Sequence, residues 1–212
     1  MIPYIIAIVA GYVLGSIPFG LLITQAAGLG DVRKIGSGNI GATNVLRTGR
    51  RGLAAATLLL DGAKGAVAVL IVRAFVVGHA VPTIESEGGW ILCAAGFAAF
   101  LGHVFPVWLG FRGGKGVATF IGVMLGLSWP VGVIFVAVWL VIAFAQRYSS
   151  LSALTAAATA PIFGYVVDGG RLAAVAAVMA LLIFYNHRKN IGRLLNNTEP
   201  KIGSEKMGSG PS

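Results

Sequence analysis

Residues 117–145 read VATFIGVMLGLSWPVGVIFVAVWLVIAFA, and the way this stretch divides decides the fold. It is almost entirely apolar, and it is longer than the ~20 residues needed to cross the hydrocarbon core of a bilayer. It is either one long kinked helix or two helices that meet at Ser128-Trp129-Pro130. A proline disfavours helical geometry in the residue before it, so a break at this point is physically reasonable.

The composition of the whole chain indicates a lipid environment. Of its 212 residues, 57% are hydrophobic and 11% are charged, whereas a soluble domain carries about 25% charged residues. The +9 net charge lies between apolar runs rather than on one soluble face, which argues against nucleic-acid binding. A single cysteine, Cys93, excludes a disulfide framework.

Further apolar runs predict an all-α, polytopic membrane protein. They are residues 2–24, 53–77, 90–109, 151–167 and 170–186. Dividing 117–145 into two helices gives seven spans, and the Lys and Arg clusters then all lie on one side of the membrane. The acidic connectors, with Glu85, Glu87 and Asp168, lie on the other side. The charge pattern therefore favours seven transmembrane helices, with the N-terminus periplasmic and the C-terminus cytoplasmic.

This solution makes one helix unusually short. Residues 117–127 span only about 16 Å as a helix, too little to cross the membrane alone. We therefore expect the glycine-rich segment before residue 117 to dip toward the membrane inside the protein, where irregular backbone is tolerated. We also expect one domain over residues 1–202 and a disordered polar tail over 203–212.

The first polar cluster covers residues 36–47, GSGNIGATNVLR. Ser37, Asn39 and Asn44 supply hydroxyl and amide groups that suit anion binding, and Arg47 adds a bidentate partner for phosphate. A turn-rich loop ending in a solvated arginine explains the same residues equally well.

The second cluster combines GHVFP at 102–106 with FRGGKGVAT at 111–119. Glycines that precede a helix can form a cradle of backbone N–H groups for an anion, and Lys115 supplies a positive charge. The sequence is not a Walker A motif, so a nucleotide triphosphatase is disfavoured. Close helix packing with flanking charges is the alternative, but the short segment favours an anion site.

The third cluster is NHRKNIGRLL at 186–195. A basic helix on anionic lipid explains its charges, but it does not explain His187 and Asn190, which lie three residues apart on one helix face. Ser150 lies at a predicted turn, where a helix cap is the simplest role. Asp61 and Lys64 lie inside a span, and either a functional pair or a mutual ion pair explains them.

Several kinds of chemistry lack their sequence signals. No cluster has metal-ligand spacing, no Gly-x-Ser-x-Gly elbow appears, and no histidine is followed five residues later by aspartate. An anion transporter or a lipid-binding scaffold remains open from the polar clusters alone. A transporter is disfavoured because the polar residues are confined to one predicted side.

The clusters occur in order along the chain as Ser-Gly-Asn-x-Gly-Ala-Thr-Asn-x-x-Arg (37–47), Gly-His-x-Phe-Pro (102–106), Gly-Gly-Lys-Gly-Val-Ala-Thr (113–119) and, after His187, Asn190-Ile191 with Arg193-Leu194-Leu195. Together they resemble the bacterial acyl-phosphate:glycerol-3-phosphate acyltransferase family over residues 1–202. The resemblance implies a seven-helix enzyme of the bacterial inner membrane with a cytoplasmic active site. It also implies acyl transfer from acyl phosphate to the 1-hydroxyl of glycerol 3-phosphate, the first step toward phospholipid.

The site residues fit this chemistry, because both substrates carry phosphate. We expect Lys115 with Gly113, Gly114 and Gly116 to hold the acyl phosphate. We expect Arg47 with Ser37, Asn39 and Asn44 to hold glycerol 3-phosphate, His187 and Asn190 to complete the phosphate site, and Thr119 and Ser150 to make further contacts. His103 is the candidate general base or hydroxyl orienter. The sequence does not separate His103 as the base from a substrate phosphate oxygen that takes the proton itself. We expect catalysis to need no cofactor and no metal, since positioning and electrostatics can supply most of the acceleration.

Overall fold

The computed structural model describes residues 1–77, 84–86 and 88–203, which form helices and no strand. The predicted all-α class is therefore confirmed for this part of the chain. Glu87 and the tail predicted at 203–212, Gly203 apart, lie outside the described residues. In chain order the α-helices are α1 (Ile2–Gly15), α2 (Phe19–Ala26), α3 (Ala42–Leu46), α4 (Arg51–Val72), α5 (Gly89–Val104), α6 (Val117–Leu127), α7 (Trp129–Gln146), α8 (Ser149–Asp168), α9 (Gly170–Asn186) and α10 (Arg188–Leu195).

The stretch 117–145 forms two helices, as predicted. Helix α6 ends at Leu127, and α7 begins at Trp129. Ser128 between them has extended backbone angles, φ −150° and ψ 97°. Pro130 lies in the first turn of α7, where its missing N–H costs no helical hydrogen bond.

Two prolines interrupt or end helices within apolar runs that the hydropathy pattern predicts as continuous. The first apolar run bends between α1 and α2, because Pro18 separates them. Helix α5 ends at Val104, five residues before the predicted limit at 109, because Pro106 follows. A short 3₁₀ turn, Val107–Leu109, then leads into the glycine-rich segment.

Five helical segments are long and apolar enough to cross a membrane, counting α1 and α2 as one, and a sixth arises if α9 and α10 are taken as one span bent by 63°. Helix α6, with 11 residues, is too short to qualify. This count among the described residues falls below the predicted seven, so the seven-span topology stays a proposal.

Helix α6 runs parallel to the second half of α4. The Thr119 hydroxyl, in the first turn of α6, donates to the Asp61 carbonyl at 2.9 Å, and Arg73 donates to the Gly126 carbonyl at 3.2 Å near the other end. Asp61 lies about 15 Å along α4 from its start at Arg51, at 1.5 Å per residue. The segment preceding α6 therefore descends that far into the bundle, which confirms the predicted dip.

Small residues allow the helices to approach closely. A Cβ on Gly11 or Gly15 of α1 would overlap the backbone of α5 at Ala95 or Ala99, and one on Gly122 would overlap α4. Such contacts replace the hydrophobic driving force that is missing between helices in lipid. They fix α4, α5 and α6 side by side, with the glycine-rich segment at their shared end.

Candidate active site

The first polar cluster folds around the side chain of Asn44. Its Nδ2 donates to the carbonyls of Val32 and Asn39, both at 2.8 Å, and its Oδ1 accepts from the Ser37 N–H at 3.0 Å. The residue is 2% exposed. Asn44 therefore organises the Asn39 loop (residues 32–41), and its contact with substrate stays a prediction.

Three other predicted residues of this cluster lie nearer the surface. The exposed Ser37 hydroxyl donates a long hydrogen bond to Asn44 Oδ1 at 3.3 Å. Asn39 accepts from the Gly41 N–H at 2.9 Å. Arg47, half-buried after α3, acts electrostatically on Lys115 of the second cluster. The first and second clusters therefore meet in space.

The second cluster folds back on the end of α5. The N–H of Gly113 donates to the Val104 carbonyl, and that of Gly114 donates to the His103 carbonyl, both at 3.0 Å. These two N–H groups are thus engaged within the protein, and the contact of Gly113 and Gly114 with the substrate stays a prediction. We call residues 105–116 the Lys115 loop.

Donors for an anion are instead available where the Lys115 loop enters α6. The N–H groups in the first turn of a helix have no partner within it, and the helix dipole adds positive potential there. Gly116 makes this turn possible, because its φ is +92°. Its Cα also packs against Phe100, whose ring a Cβ would overlap.

Lys115 connects the second cluster to the third. Its Nζ donates to Asn190 Oδ1 at 2.6 Å. Asn190 Nδ2 donates to Glu199 Oε1, also at 2.6 Å. The same carboxylate accepts from the Ser150 hydroxyl and from Arg193 Nε, each at 2.6 Å. Ser150 and Asn190 thus share the Glu199 carboxylate as their acceptor, and Lys115 reaches it through Asn190.

Glu199 is the residue that the sequence analysis missed. It lies within the predicted domain but was given no role, although it is the one acid that follows the basic third cluster before residue 203. Burial opposes ionisation of its carboxyl group, but hydrogen bonds from Ser150, Asn190 and Arg193 outweigh burial and lower its pKa. It therefore stays ionised and fixes the donors around it.

Lys115 lies in a partly desolvated environment. Burial, together with the positive charges of Arg193 and Arg47, lowers the pKa of Lys115 to about 8, although the negative charge of Glu199 acts in the opposite direction. An ammonium group that is poorly solvated and surrounded by cations gains strongly from an incoming anion. Lys115 is therefore a candidate for binding an anionic group.

His187 is held by the end of α9. Its Nδ1 lies 2.8 Å from the Ile183 carbonyl oxygen. A carbonyl can only accept, so Nδ1 carries the proton and Nε2 is left as an acceptor. The ring is 3% exposed, which fixes its orientation beside Lys115, whose charge acts on it.

All three polar clusters contribute to one cavity of about 270 Å³. Its polar lining comprises Asn39 from the first cluster, Arg112, Gly113, Gly114 and Lys115 from the second, and Asn186 and Arg188 from the third. The Nδ2 atom of Asn186 has no hydrogen-bond partner among the described residues. The cavity therefore combines three cationic side chains with an unused donor, which suits a phosphorylated ligand.

Two predicted site residues lie beneath this cavity rather than in it. Thr119 is 0% exposed and its hydroxyl donates to the Asp61 carbonyl, so its role as a substrate contact stays a prediction that this position does not favour. His103 is 3% exposed and does not line the cavity. The prediction of His103 as a base that reaches the substrate does not fit this position.

Below the Lys115 loop, Asp61 and Lys64 form the ion pair that the sequence allowed, with Lys64 Nζ 2.9 Å from Asp61 Oδ1. A larger cavity of about 490 Å³ lies elsewhere, against the part of α5 that carries Trp90, Cys93 and Phe97. Its apolar lining includes no predicted site residue. Within the described residues, no three His, Cys, Asp or Glu side chains are grouped as metal ligands.

Comparison with known proteins identifies the family. Residues 5–197 match the family model described as glycerol-3-phosphate acyltransferase. The chain belongs to the glycerol-3-phosphate acyltransferase family. A family member from Mesorhizobium japonicum is 60% identical over 201 residues, covering 95% of this chain and 97% of that protein. A family member from Brucella ovis is 56% identical over 199 residues, which cover 94% of this chain and 93% of that protein.

Solved structures of the family agree with the fold. The crystal structure of PlsY (YgiH), an integral membrane glycerol 3-phosphate acyltransferase, in its glycerol 3-phosphate form has a TM-score of 0.85 and 39% identity, over 95% of this chain and 96% of that one. The structure of its lysophosphatidic acid form has a TM-score of 0.83 and 38% identity, with the same coverage of both chains. The resemblance inferred from the motifs is confirmed, and the chain is an integral membrane acyltransferase.

Proposed function

We propose that this enzyme transfers a fatty acyl group from acyl phosphate to the 1-hydroxyl of glycerol 3-phosphate, giving lysophosphatidic acid and inorganic phosphate. One observation carries the proposal: side chains from three separate motifs surround one cavity of about 270 Å³ that contains Arg112, Lys115 and Arg188. Both substrates carry phosphate, and a site with several cations and the N-terminus of α6 suits two anions.

The donor phosphate lies, in this proposal, between Lys115 and the first turn of α6. Lys115 neutralises charge that develops on the phosphate as the bond to the acyl carbon breaks. The N–H groups of the helix start add fixed dipoles that need no reorganisation during the reaction. Asn190 and Glu199 keep the ammonium group in place through the hydrogen bonds of 2.6 Å described above.

Arg47, Ser37 and Asn39 then hold glycerol 3-phosphate. Arg47 is close enough to Lys115 to affect its pKa, so the two phosphates are neighbours. A guanidinium binds phosphate in a bidentate manner and thereby orients the glycerol carbon chain. Placing the 1-hydroxyl against the acyl carbonyl supplies a large part of the rate, because the two reactants no longer need to meet by diffusion.

The proton of the attacking hydroxyl goes, in this proposal, to a phosphate oxygen of a substrate. His103 was the protein candidate for this step, but it is 3% exposed and lies behind the Lys115 loop. The new bond joins the hydroxyl oxygen to the acyl carbon, the bond between that carbon and the phosphate oxygen breaks, and phosphate leaves with the proton. No acyl-enzyme intermediate is needed, because the mixed anhydride is already activated.

The preference for acyl phosphate follows from the same geometry. A thioester donor demands a stronger base and room for a large pantetheine-bearing carrier, whereas phosphate as the leaving group fits a cavity of about 270 Å³. Phe111 forms an apolar edge of this cavity and is 59% exposed. It offers a surface along which the acyl chain passes into the bilayer.

Location follows from the charge pattern. We place the active site on the cytoplasmic side of the bacterial inner membrane, because the cavity and the basic connectors share one end of the bundle. Soluble glycerol 3-phosphate enters from the cytoplasm and the lipid donor from the bilayer. The reaction is then the first acylation on the route to phospholipid.

The test is direct. Purified protein in chelator-containing detergent buffer is incubated with acyl phosphate and glycerol 3-phosphate, and lysophosphatidic acid and phosphate are quantified. We expect both products in equal amounts, competitive inhibition by inorganic phosphate against the donor, and only trace activity with acyl-CoA. Comparable rates with acyl-CoA at equal concentration would overturn the donor assignment.

A further inference from the structure

A cluster of three buried ionisable side chains lies directly beneath the Lys115 loop. Lys64 Nζ is 2.9 Å from Asp61 Oδ1 and donates to the Ile17 carbonyl at 2.7 Å. His103 Nδ1 is 3.7 Å from the same Asp61 oxygen. All three charged or titratable side chains are at most 5% exposed. Such groups are costly to keep within an apolar bundle and need a reason to be there.

His103 contacts the Lys115 loop with both its backbone and its ring. Its carbonyl accepts the Gly114 N–H at 3.0 Å. Its ring lies against the Cα of Gly114, so that a Cβ at that position would overlap Nε2 of the imidazole. Gly114 is therefore held from two directions by one residue, and Lys115 is the next residue in the chain.

We propose that His103 is a positioning residue, oriented by Asp61, that supports Gly114 and thereby sets the place of Lys115. The inference rests on the proposed function for the identity of the reaction, but it concerns these four residues. An error of about 1 Å in a group that binds the reacting phosphate costs on the order of 100-fold in rate. A rigid support beneath a glycine loop supplies that accuracy, while His103 itself does not touch the substrate.

A double-mutant cycle tests the proposal. The variants are His103→Ala, Gly114→Ala and the double variant, with Gly52→Ala as the matched control, because a Cβ on Gly52 meets nothing within 4 Å. Each variant is measured for kcat, for KM of both substrates, and for binding of inorganic phosphate by calorimetry. The phosphate measurement reports on the loop even without turnover.

We expect Gly114→Ala to weaken phosphate binding and to raise the KM for acyl phosphate by roughly 10-fold, because the methyl group displaces the Lys115 loop from the imidazole of His103. In the His103→Ala background the methyl group has space, so the double variant should bind phosphate no more weakly than His103→Ala alone. Multiplicative losses in the double variant would overturn the support role, because the two residues would then act independently.

A general-base role predicts a different pattern. His103→Asn, which retains a polar group but cannot titrate, should keep the shape of the kcat pH profile if His103 only positions the loop. A collapse of kcat with both KM values unchanged, or loss of the acid limb of the profile, would show that His103 takes the proton. This variant also decides the matter if Gly114→Ala fails to fold.

The role of Asp61 is tested through His103. Asp61→Asn should weaken phosphate binding in the wild-type background and have no further effect in His103→Ala; an equal effect in both backgrounds would remove Asp61 from the proposal. Lys64 keeps the Ile17 carbonyl as a partner in this variant. If wild-type protein makes no lysophosphatidic acid, the proposed function fails, whereas the cycle in phosphate binding still decides this inference.

Discussion

The Nζ atom of Lys115 donates a hydrogen bond of 2.6 Å to Oδ1 of Asn190, a residue 75 positions later in the chain. This contact joins the glycine-rich loop before α6 to the helix that follows α9. It gives the lysine a fixed position although the loop itself is irregular.

Lys115→Ala should reduce kcat by roughly 100-fold or more, because the charge that faces the leaving phosphate is lost. Lys115→Arg should rescue poorly, since a planar fork places its charge differently from a compact ammonium. Steady-state kinetics on purified variants measure both effects, and size-exclusion profiles in detergent check that the proteins are folded. Lys189→Ala, an exposed lysine on α10, is the matched control. Near-wild-type kcat in Lys115→Ala would remove the lysine from the mechanism.

Activity should fall as pH rises through about 8. Burial lowers the pKa of Lys115 to about 8, so the free enzyme carries the charged form below that pH and loses it above. Bound phosphate stabilises the ammonium, so we expect the loss mainly as an increased KM, with kcat at saturation less affected. In Lys115→Arg the pH profile should no longer show this loss of activity above about pH 8, since arginine stays charged. If Lys115→Arg lost activity at high pH as the wild type does, the titrating group would be another residue.

Arg47→Ala should raise the KM for glycerol 3-phosphate by about 10- to 100-fold, the effect of losing a charge-assisted hydrogen bond. Arg33→Ala provides the control from the neighbouring loop, because Arg33 already pairs with Asp31 at 2.6 Å. Kinetics with varied glycerol 3-phosphate at saturating donor measure the change. A selective effect on the donor KM would exchange the two phosphate assignments.

Glu199→Gln should destabilise the protein and weaken activity, because the amide cannot accept from Ser150, Asn190 and Arg193 together. A melting curve in detergent and steady-state kinetics report the two effects. In the wild type the carboxylate should protect the fold at neutral pH and cease to do so as pH falls below the ordinary glutamate value of 4.5, since its folded pKa is lowered. Glu199→Gln should lack this acid-dependent loss; a Tm equal to that of the wild type at neutral pH would contradict the prediction.

Topology is testable by single-cysteine labelling in a Cys93→Ser background. With the proposed orientation, a cysteine at position 189 should react with an impermeant thiol reagent only after the cells are opened. A cysteine at position 2 should react in intact cells. Labelling of position 189 from outside intact cells would reverse the orientation and with it the cytoplasmic location of the active site.

Much of this architecture is readable from the sequence, for identifiable reasons. Pro130 and the charge pattern predict the break between α6 and α7, and the shortness of residues 117–127 predicts the descent of the Lys115 loop. The motifs also name Lys115 and Asn190, which the structure brings into contact. Residue types indicate chemistry, and hydropathy indicates which segments lie in lipid.

Other features depend on contacts that are distant in sequence. Asn44 and Thr119 are polar residues within motifs, but their hydrogen-bonding groups serve the fold, which only their neighbours reveal. Glu199 looks like part of a tail until the donors around it are known. The spacing of Asp61 and His103 carries no signal, because 41 intervening residues and the packing of two helices decide the 3.7 Å between His103 Nδ1 and Asp61 Oδ1.

The acceptor at Glu199 also sets the moment at which the enzyme becomes complete. The chain is made from its N-terminus, so residue 199 is added after all the residues of α1 to α10. Until then Asn190 and Arg193 lack the carboxylate that holds them. The Asn190 side chain that accepts from Lys115 is then not held in place. A chain that stops before Glu199 should therefore be less active than the full protein, for the same reason as Glu199→Gln.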